Sequence, residues 1–213
     1  MAVTFAAVLK RLAFWQGVFV IFTAFARYLT KSGCTDFKTM TPGIRNGFLG
    51  GAVVIFYFAL LSVAKQDLFL SPLFQWGSMV FYLFFMARAS LEDCAANGSS
   101  RDFREIVRTP FVTFLLINLC YWLFYYGLHL YDPSLLLAEM KLELDMLKSQ
   151  LTAGLGDPEQ ANKFRERIQD LEKELLAPQP QPLGPVMMRM CVGALGGFAL
   201  AAGVAALVKN QKK

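Results

Sequence analysis

Residues 110–131 read PFVTFLLINLCYWLFYYGLHLY, a run of twenty-two residues that contains no Asp, Glu, Lys or Arg. A helix needs roughly 17 to 25 mostly apolar residues to cross the hydrocarbon of a bilayer. Four further apolar blocks of similar length lie at 12–29, 46–64, 69–87 and 187–208. Because an unpaired backbone group in lipid costs several kcal/mol, such blocks must be helical. The sequence therefore predicts an all-α integral membrane protein with four to five transmembrane helices.

The count depends on the first block. Lys10 and Arg11 precede it, and Ala24-Phe25-Ala26 is a passable signal-peptidase site. The block can therefore be a cleaved signal, an interfacial or re-entrant helix, or a spanning helix. A similar question arises at 103–108, where apolar and basic residues alternate at helical spacing before Pro110. That pattern predicts a separate short helix in the headgroup plane.

Residues 132–177 differ from the rest of the chain because they hold ten acidic and six basic residues. Asp132-Pro133 and Asp157-Pro158 are both helix-start signals, and apolar residues follow each at spacings of three and four. This pattern predicts an antiparallel coiled-coil hairpin between the last two membrane helices. The predicted seam residues are Leu137, Met140, Leu144, Leu147, Leu151, Phe164, Ile168, Leu171 and Leu175.

The predicted organisation thus has four parts. Membrane helices one to four occupy 1–131, and the extramembrane hairpin occupies 132–177. A Pro-rich spacer at 178–186 returns the chain to the membrane, and 187–213 hold the last membrane helix and a basic tail.

Small residues recur every four positions on two of the predicted helices. Lipid gives no hydrophobic preference for helix contact, so such residues mark faces where backbones approach closely. The spacing leaves open whether the partner is in the same chain or in another subunit. The predicted packing residues are Gly43, Gly47, Gly51, Gly193, Gly197 and Ala201.

Charged and histidine side chains are few inside the predicted spans. His129 is the only histidine and precedes Asp132 by about one helical turn, which would suit a proton relay. The preferred interpretation is an interfacial residue in an aromatic belt, without a role in conduction or catalysis. Arg27 is expected to extend towards the headgroups.

Known catalytic motifs are not found in the sequence, and no Cys/His spacing suits a metal. We therefore expect no enzyme activity, no cofactor and no catalytic or metal-binding residue. The net charge of +5 lies mainly at the ends of the predicted spans, so it does not indicate nucleic-acid binding. Eleven Lys and Arg residues near span ends on one side, against seven on the other, favour a cytoplasmic C-terminus and an extracytoplasmic hairpin.

The order of parts resembles an uncharacterised family of small bacterial envelope proteins, a domain of unknown function with four membrane helices. The matching features are GIRNGFLGG at 43–51, FREIVR at 103–108 and an aromatic helix at 121–131 ending in Asp132-Pro133. A charged helical insert and a last helix of small residues follow, so the resemblance covers about 43–210. It implies a location in the bacterial inner membrane and supplies no catalytic residues.

The sequence favours a non-enzymatic membrane anchor, scaffold or accessory subunit that presents the hairpin for protein–protein or self-association. The expected partners are the lipid bilayer and either further copies of the chain or a larger membrane complex. The alternative is a small oligomeric transporter or channel. Few charges lie within the predicted spans, which favours the first hypothesis.

Overall fold

The computed structural model describes residues 40–64, 66–97, 102–153, 158–176 and 183–210. The predicted first block at 12–29, with Arg27, lies outside the described residues, as does most of the Pro-rich spacer. The described part of the chain is helical and contains no strand.

Eight helices make up the described residues. They are α1 (Pro42–Ala64), α2 (Gln66–Leu70), α3 (Pro72–Gly77), α4 (Met79–Asn97), α5 (Phe103–Tyr131), α6 (Pro133–Thr152), α7 (Pro158–Leu176) and α8 (Leu183–Asn210). Within the described ranges, three helices are long and apolar enough to cross a membrane: α1, α5 and α8. The described residues are thus all-α, with three candidate membrane spans among them.

The predicted third block, 69–87, is not one continuous helix. It is divided among α2, α3 and α4, with breaks at Ser71 and Ser78. Ser71 has extended backbone angles, and Pro72 occupies the first turn of α3. Proline lacks a backbone donor and disfavours a helical residue before it, so apolarity alone could not keep this block helical. α4 then continues ten residues past the predicted end, to Asn97.

The predicted separate helix at 103–108 is also corrected, because α5 runs without interruption through Pro110. Ile106 and Val107 were expected in the headgroup plane. They are instead buried inside the protein, where they are only 2% and 6% exposed. Burial of these two side chains stabilises the helix. It offsets the free-energy cost of the backbone hydrogen bond that Pro110 cannot donate near the start of the helix. With 29 residues, α5 is about 43 Å long, which exceeds the hydrocarbon thickness.

α5 is the central helix of the first compact unit and contacts α1, α4 and α8. Thr109 donates to Asp93 of α4 at 3.0 Å, and Thr113 donates to the Gly43 carbonyl of α1 at 3.1 Å. Asn118 donates to the Met190 carbonyl of α8 at 3.2 Å. Hydrogen bonds between helices hold their register in lipid, where apolar contact alone gives little orientation.

The predicted packing glycines of α1 lie against α5. A Cβ at Gly43 would lie 3.0 Å from the Thr109 carbonyl oxygen, and one at Gly47 would lie 2.7 Å from Leu116 Cβ. At Gly51 the neighbour is Cys120, at 2.9 Å. These glycines therefore serve contacts within the chain.

The two predicted packing glycines of α8 also face α5. A Cβ at Gly197 would overlap the ring of Phe114, while one at Gly193 would make an ordinary contact with Asn118 at 3.7 Å. Ala201 is fully buried. The sequence did not identify Gly50, where a Cβ would lie 2.5 Å from Ile117 and 3.0 Å from Phe85.

The chain divides into two compact units. The first combines Met1–Phe124 with Gly184–Lys213, and the second is Tyr125–Leu183. The predicted insert begins at 132, whereas the second unit begins at Tyr125. The last turns of α5 therefore group with α6 and α7.

Gly197→Ala should destabilise the protein. The new methyl group would overlap the ring of Phe114, which is only 5% exposed and has little room to move. Overpacking of this kind costs about 1–3 kcal/mol. The matched control is Gly203→Ala on the same helix, where nothing lies within 4 Å of the new Cβ. Thermal unfolding in detergent should show the loss for Gly197→Ala alone, and equal unfolding temperatures would contradict this packing.

Candidate functional site

The second unit contains the helices that the sequence singled out for binding. Asp132 separates α5 from α6: its backbone N–H donates to the Leu128 carbonyl at 2.8 Å. Its carboxylate accepts hydrogen bonds from the Ser134 backbone N–H at 3.2 Å and from the Ser134 hydroxyl at 2.5 Å. Asp132 is thus the N-cap of α6, and Pro133 fits the first turn because that position needs no donor.

The predicted seam residues share one property: none is exposed. Leu171 is fully buried and Met140 is 9% exposed. The other seven are half-buried: Leu137, Leu144, Leu147, Leu151, Phe164, Ile168 and Leu175.

Two ion pairs connect α6 and α7. Lys148 donates to Glu172 at 2.8 Å, and Arg167 Nε donates to Glu143 at 3.0 Å. The hydrogen bond to Glu143 raises the pKa of the Arg167 guanidinium above its ordinary value. All four side chains are a third or more exposed, so each pair contributes roughly 0–1 kcal/mol. The pairs therefore contribute more to the relative position of the two helices than to the stability of the protein.

A second apolar surface lies on α6. Leu142 is 38% exposed and Met146 is 48% exposed, and they are one helical turn apart. Both lie outside the three candidate spans. Lys141 and Asp145, also exposed, flank them in the sequence. This pair of side chains is an apolar patch with a charged border, which we call the α6 patch.

A buried polar cluster lies where α5 ends, within the second unit. Tyr125 donates to Glu139 Oε2 at 2.5 Å, and His129 Nδ1 lies 2.8 Å from the Tyr125 carbonyl oxygen. His129 Nε2 is 3.1 Å from Glu139 Oε2, a close approach without the alignment of a hydrogen bond. The Tyr125 and His129 rings stack with centroids 4.0 Å apart.

The structure changes the interpretation of His129. The residue is 4% exposed, and its acidic neighbour is Glu139 rather than Asp132. Glu139 was not predicted as its neighbour because it belongs to the next helix, ten residues further on. Its position in an otherwise apolar stretch, Leu135 to Met140, was the available signal.

A second polar cluster lies in the first unit, around Glu92 of α4. Its carboxylate accepts hydrogen bonds from Arg45 at 2.8 Å, Asn46 at 2.6 Å and Arg88 at 3.0 Å. Burial of Glu92 raises the pKa of its carboxyl, but these hydrogen bonds outweigh burial, so the pKa lies below its ordinary value. No local sequence pattern indicates this cluster, because Arg45 and Asn46 precede Glu92 by 46 or more positions.

Metal ligation has no support among the described residues, where no three His, Cys, Asp or Glu side chains gather. Both polar clusters are organised by hydrogen bonds between helices, which suits a structural role.

Comparisons of the chain with models of protein families, with curated proteins and with solved structures find no match.

Glu92→Gln should destabilise the protein at neutral pH. The destabilisation should be smaller in acid. A carboxylate whose folded-state pKa is depressed contributes fully above its unfolded-state pKa, and the contribution is lost as pH falls through the folded value. We expect a loss of about 1–3 kcal/mol at pH 7 that shrinks below the ordinary Glu pKa of 4.5. The control is Glu159→Gln, at an exposed ion pair. Thermal unfolding in detergent at several pH values measures both, and a pH-independent difference for Glu92→Gln would contradict the assignment.

Proposed function

We propose that this protein is a non-enzymatic membrane scaffold or accessory subunit that presents α6 and α7 for association with another protein or with its own copies. The observation that carries the proposal is the α6 patch. The seam residues of α6 and α7 are buried or half-buried, yet Leu142 and Met146 remain exposed on a helix outside the candidate spans. Exposed apolar residues with a polar rim are typical of protein–protein contact sites.

An antiparallel coiled-coil hairpin is the arrangement we propose for α6 and α7. Only five residues separate the end of α6 at Thr152 from the start of α7 at Pro158, which favours antiparallel neighbours. The heptad spacing supports a coiled coil, and the two ion pairs join the helices without indicating their relative direction.

For the membrane part, we propose that the predicted block at 69–87, which includes the start of α4, is a fourth spanning segment beside α1, α5 and α8. Tyr57 and Phe81 stack near one end of α1 and α4, and Asn46 donates to Glu92 near the other, so α4 runs antiparallel along α1. Residues 12–29 would add a fifth span. Membership of the four-helix bacterial family is part of this proposal, supported by the order of its motifs.

The proposed location is the bacterial inner membrane, with the C-terminus in the cytoplasm and the hairpin outside it. The excess of Lys and Arg near span ends on the C-terminal side supports this orientation.

A small oligomeric transporter is the second candidate, and one observation favours it. A polar groove of about 470 Å³ in the first unit is lined by Asp93, Asn97, Glu105 and Arg108, among others. The groove lies where α4 ends and α5 begins, so it reaches only one end of these helices. Ion flux into vesicles reconstituted with the purified chain would favour this candidate over a scaffold.

Single cysteines at Met146 and Lys163, in a background without the four native cysteines, test the scaffold and its orientation together. Lys163 is an exposed control on α7. In intact cells a membrane-impermeant thiol reagent should label Lys163→Cys rapidly and Met146→Cys slowly, because a partner covers the α6 patch. After purification in detergent that separates partners, the two rates should converge.

Equal labelling rates in cells would contradict a covered α6 patch. If Lys163→Cys is labelled only after permeabilisation, the proposed orientation is contradicted. The proposed scaffold role is not affected by that result. The two parts of the proposal are thus separated by the same reagent.

A further inference from the structure

A lateral groove of about 590 Å³ opens on the first unit between α3, α4, α5 and α8. Its wall includes Trp76, Tyr82, Phe114 and Trp122, and its α8 side is formed by Gly193, Gly196, Gly197 and Leu200. Trp76 is 71% exposed and Gly196 is also exposed, so the groove is open to the outside of the protein.

The groove is level with the middle of two candidate spans. Asn118 is at the midpoint of α5, and Gly196 is at the midpoint of α8. A groove at that depth opens towards the hydrocarbon interior of the bilayer, because the centre of a spanning helix lies at the centre of the membrane.

Two occupants compete for this groove, an acyl chain and a helix of a second copy. The groove follows α5 from Phe114 to Trp122, about 12 Å at 1.5 Å per residue. Because it opens at the depth of the hydrocarbon, acyl chains are the molecules already beside it, and a helix of a second copy is the alternative that the test below distinguishes.

The missing side chains on α8 create this space. A Cβ at Gly196 would have nothing within 4 Å, so the position is empty rather than packed. Aromatic rings line the opposite wall. Besides the tyrosine hydroxyls, the polar side chains of the lining are Gln75, Ser78 and Asn118, and the Asn118 amide donates to the Met190 carbonyl. Apolar walls with a few polar groups are typical of ligand sites of this size.

We infer that this groove binds one acyl chain of a membrane lipid. The inference does not depend on the proposed scaffold role, because it concerns the first unit alone. Lipid at this site fills the space that glycine leaves and covers the exposed ring of Trp76. The chain would thus be bound individually, unlike the freely exchanging lipid around the rest of the protein.

Tryptophan fluorescence can test the inference directly, since Trp76 and Trp122 both line the groove. With Trp15 and Trp76 replaced by Phe, Trp122 reports alone in the purified full-length chain. Phosphatidylcholine with dibrominated stearoyl chains, added at increasing mole fraction in detergent, should quench Trp122 to a plateau at low mole fraction.

Two matched substitutions on α8 locate the binding. Gly196→Leu fills the groove without a clash at Cβ, and Gly203→Leu adds the same side chain at an equally open position outside it. Gly196→Leu should require several-fold more lipid for half-maximal quenching, while Gly203→Leu should match the parent protein.

Identical curves for the two leucine variants would overturn the inference, because the quenching would then come from surrounding lipid. Quenching of the parent protein that rises without a plateau would overturn it even if Gly196→Leu does not fold. Light scattering tests whether a helix of a second copy occupies the groove instead. In that case Gly196→Leu would lose an oligomer while the quenching stays unchanged, and this result would also overturn the inference.

Discussion

The close approach of α1 and α8 to the central helix α5 is the interaction on which the membrane part of the structure depends. In a bilayer, apolar side chains gain little by leaving lipid for another helix, so association requires close packing and interhelical hydrogen bonds. Gly43, Gly47 and Gly51 bring α1 against α5, and Gly197 makes room for Phe114. The same small residues leave the groove beside Gly196. The small residues of α8 thus account for both its close contact with α5 and the open groove.

Polar contacts add direction to this packing. Glu92 connects α4 to the start of α1 through Arg45 and Asn46, and Glu139 connects α6 to the end of α5 through Tyr125. Such groups are costly to bury alone and acceptable when paired, so each favours one arrangement of its helices. The charged seam region of α6 and α7 differs, since its ion pairs are exposed and weak. Apolar burial, with Leu171 fully enclosed, is its main source of stability.

Apolar runs and cap residues in the sequence were enough to predict the all-α class and the helices now seen as α1, α5 and α8. The start of α6 at Pro133 follows directly from Asp132-Pro133, a local signal. Whether an apolar block forms one continuous helix was harder to predict. Pro72 interrupts one block, whereas the helix continues through Pro110 in another. The difference depends on tertiary burial of Ile106 and Val107, which no local pattern contains. The contacts of Glu92 with Arg45 and Asn46, and of His129 with Glu139, were missed for the same reason: each joins two different helices.

Cross-linking between Phe111 and Phe198 tests the central helix most directly, because the two rings meet at 5.4 Å between α5 and α8. Cysteines at both positions, in a chain without native cysteines, should be joined by a short bismaleimide within one polypeptide. Cysteines at Leu123 and Leu207, which are 63% and 68% exposed, provide the control pair. An intrachain product for the first pair alone is the predicted result. A dimer formed on mixing the two single-cysteine variants, with no intrachain product, would show that the α8 face serves another subunit and would contradict the account.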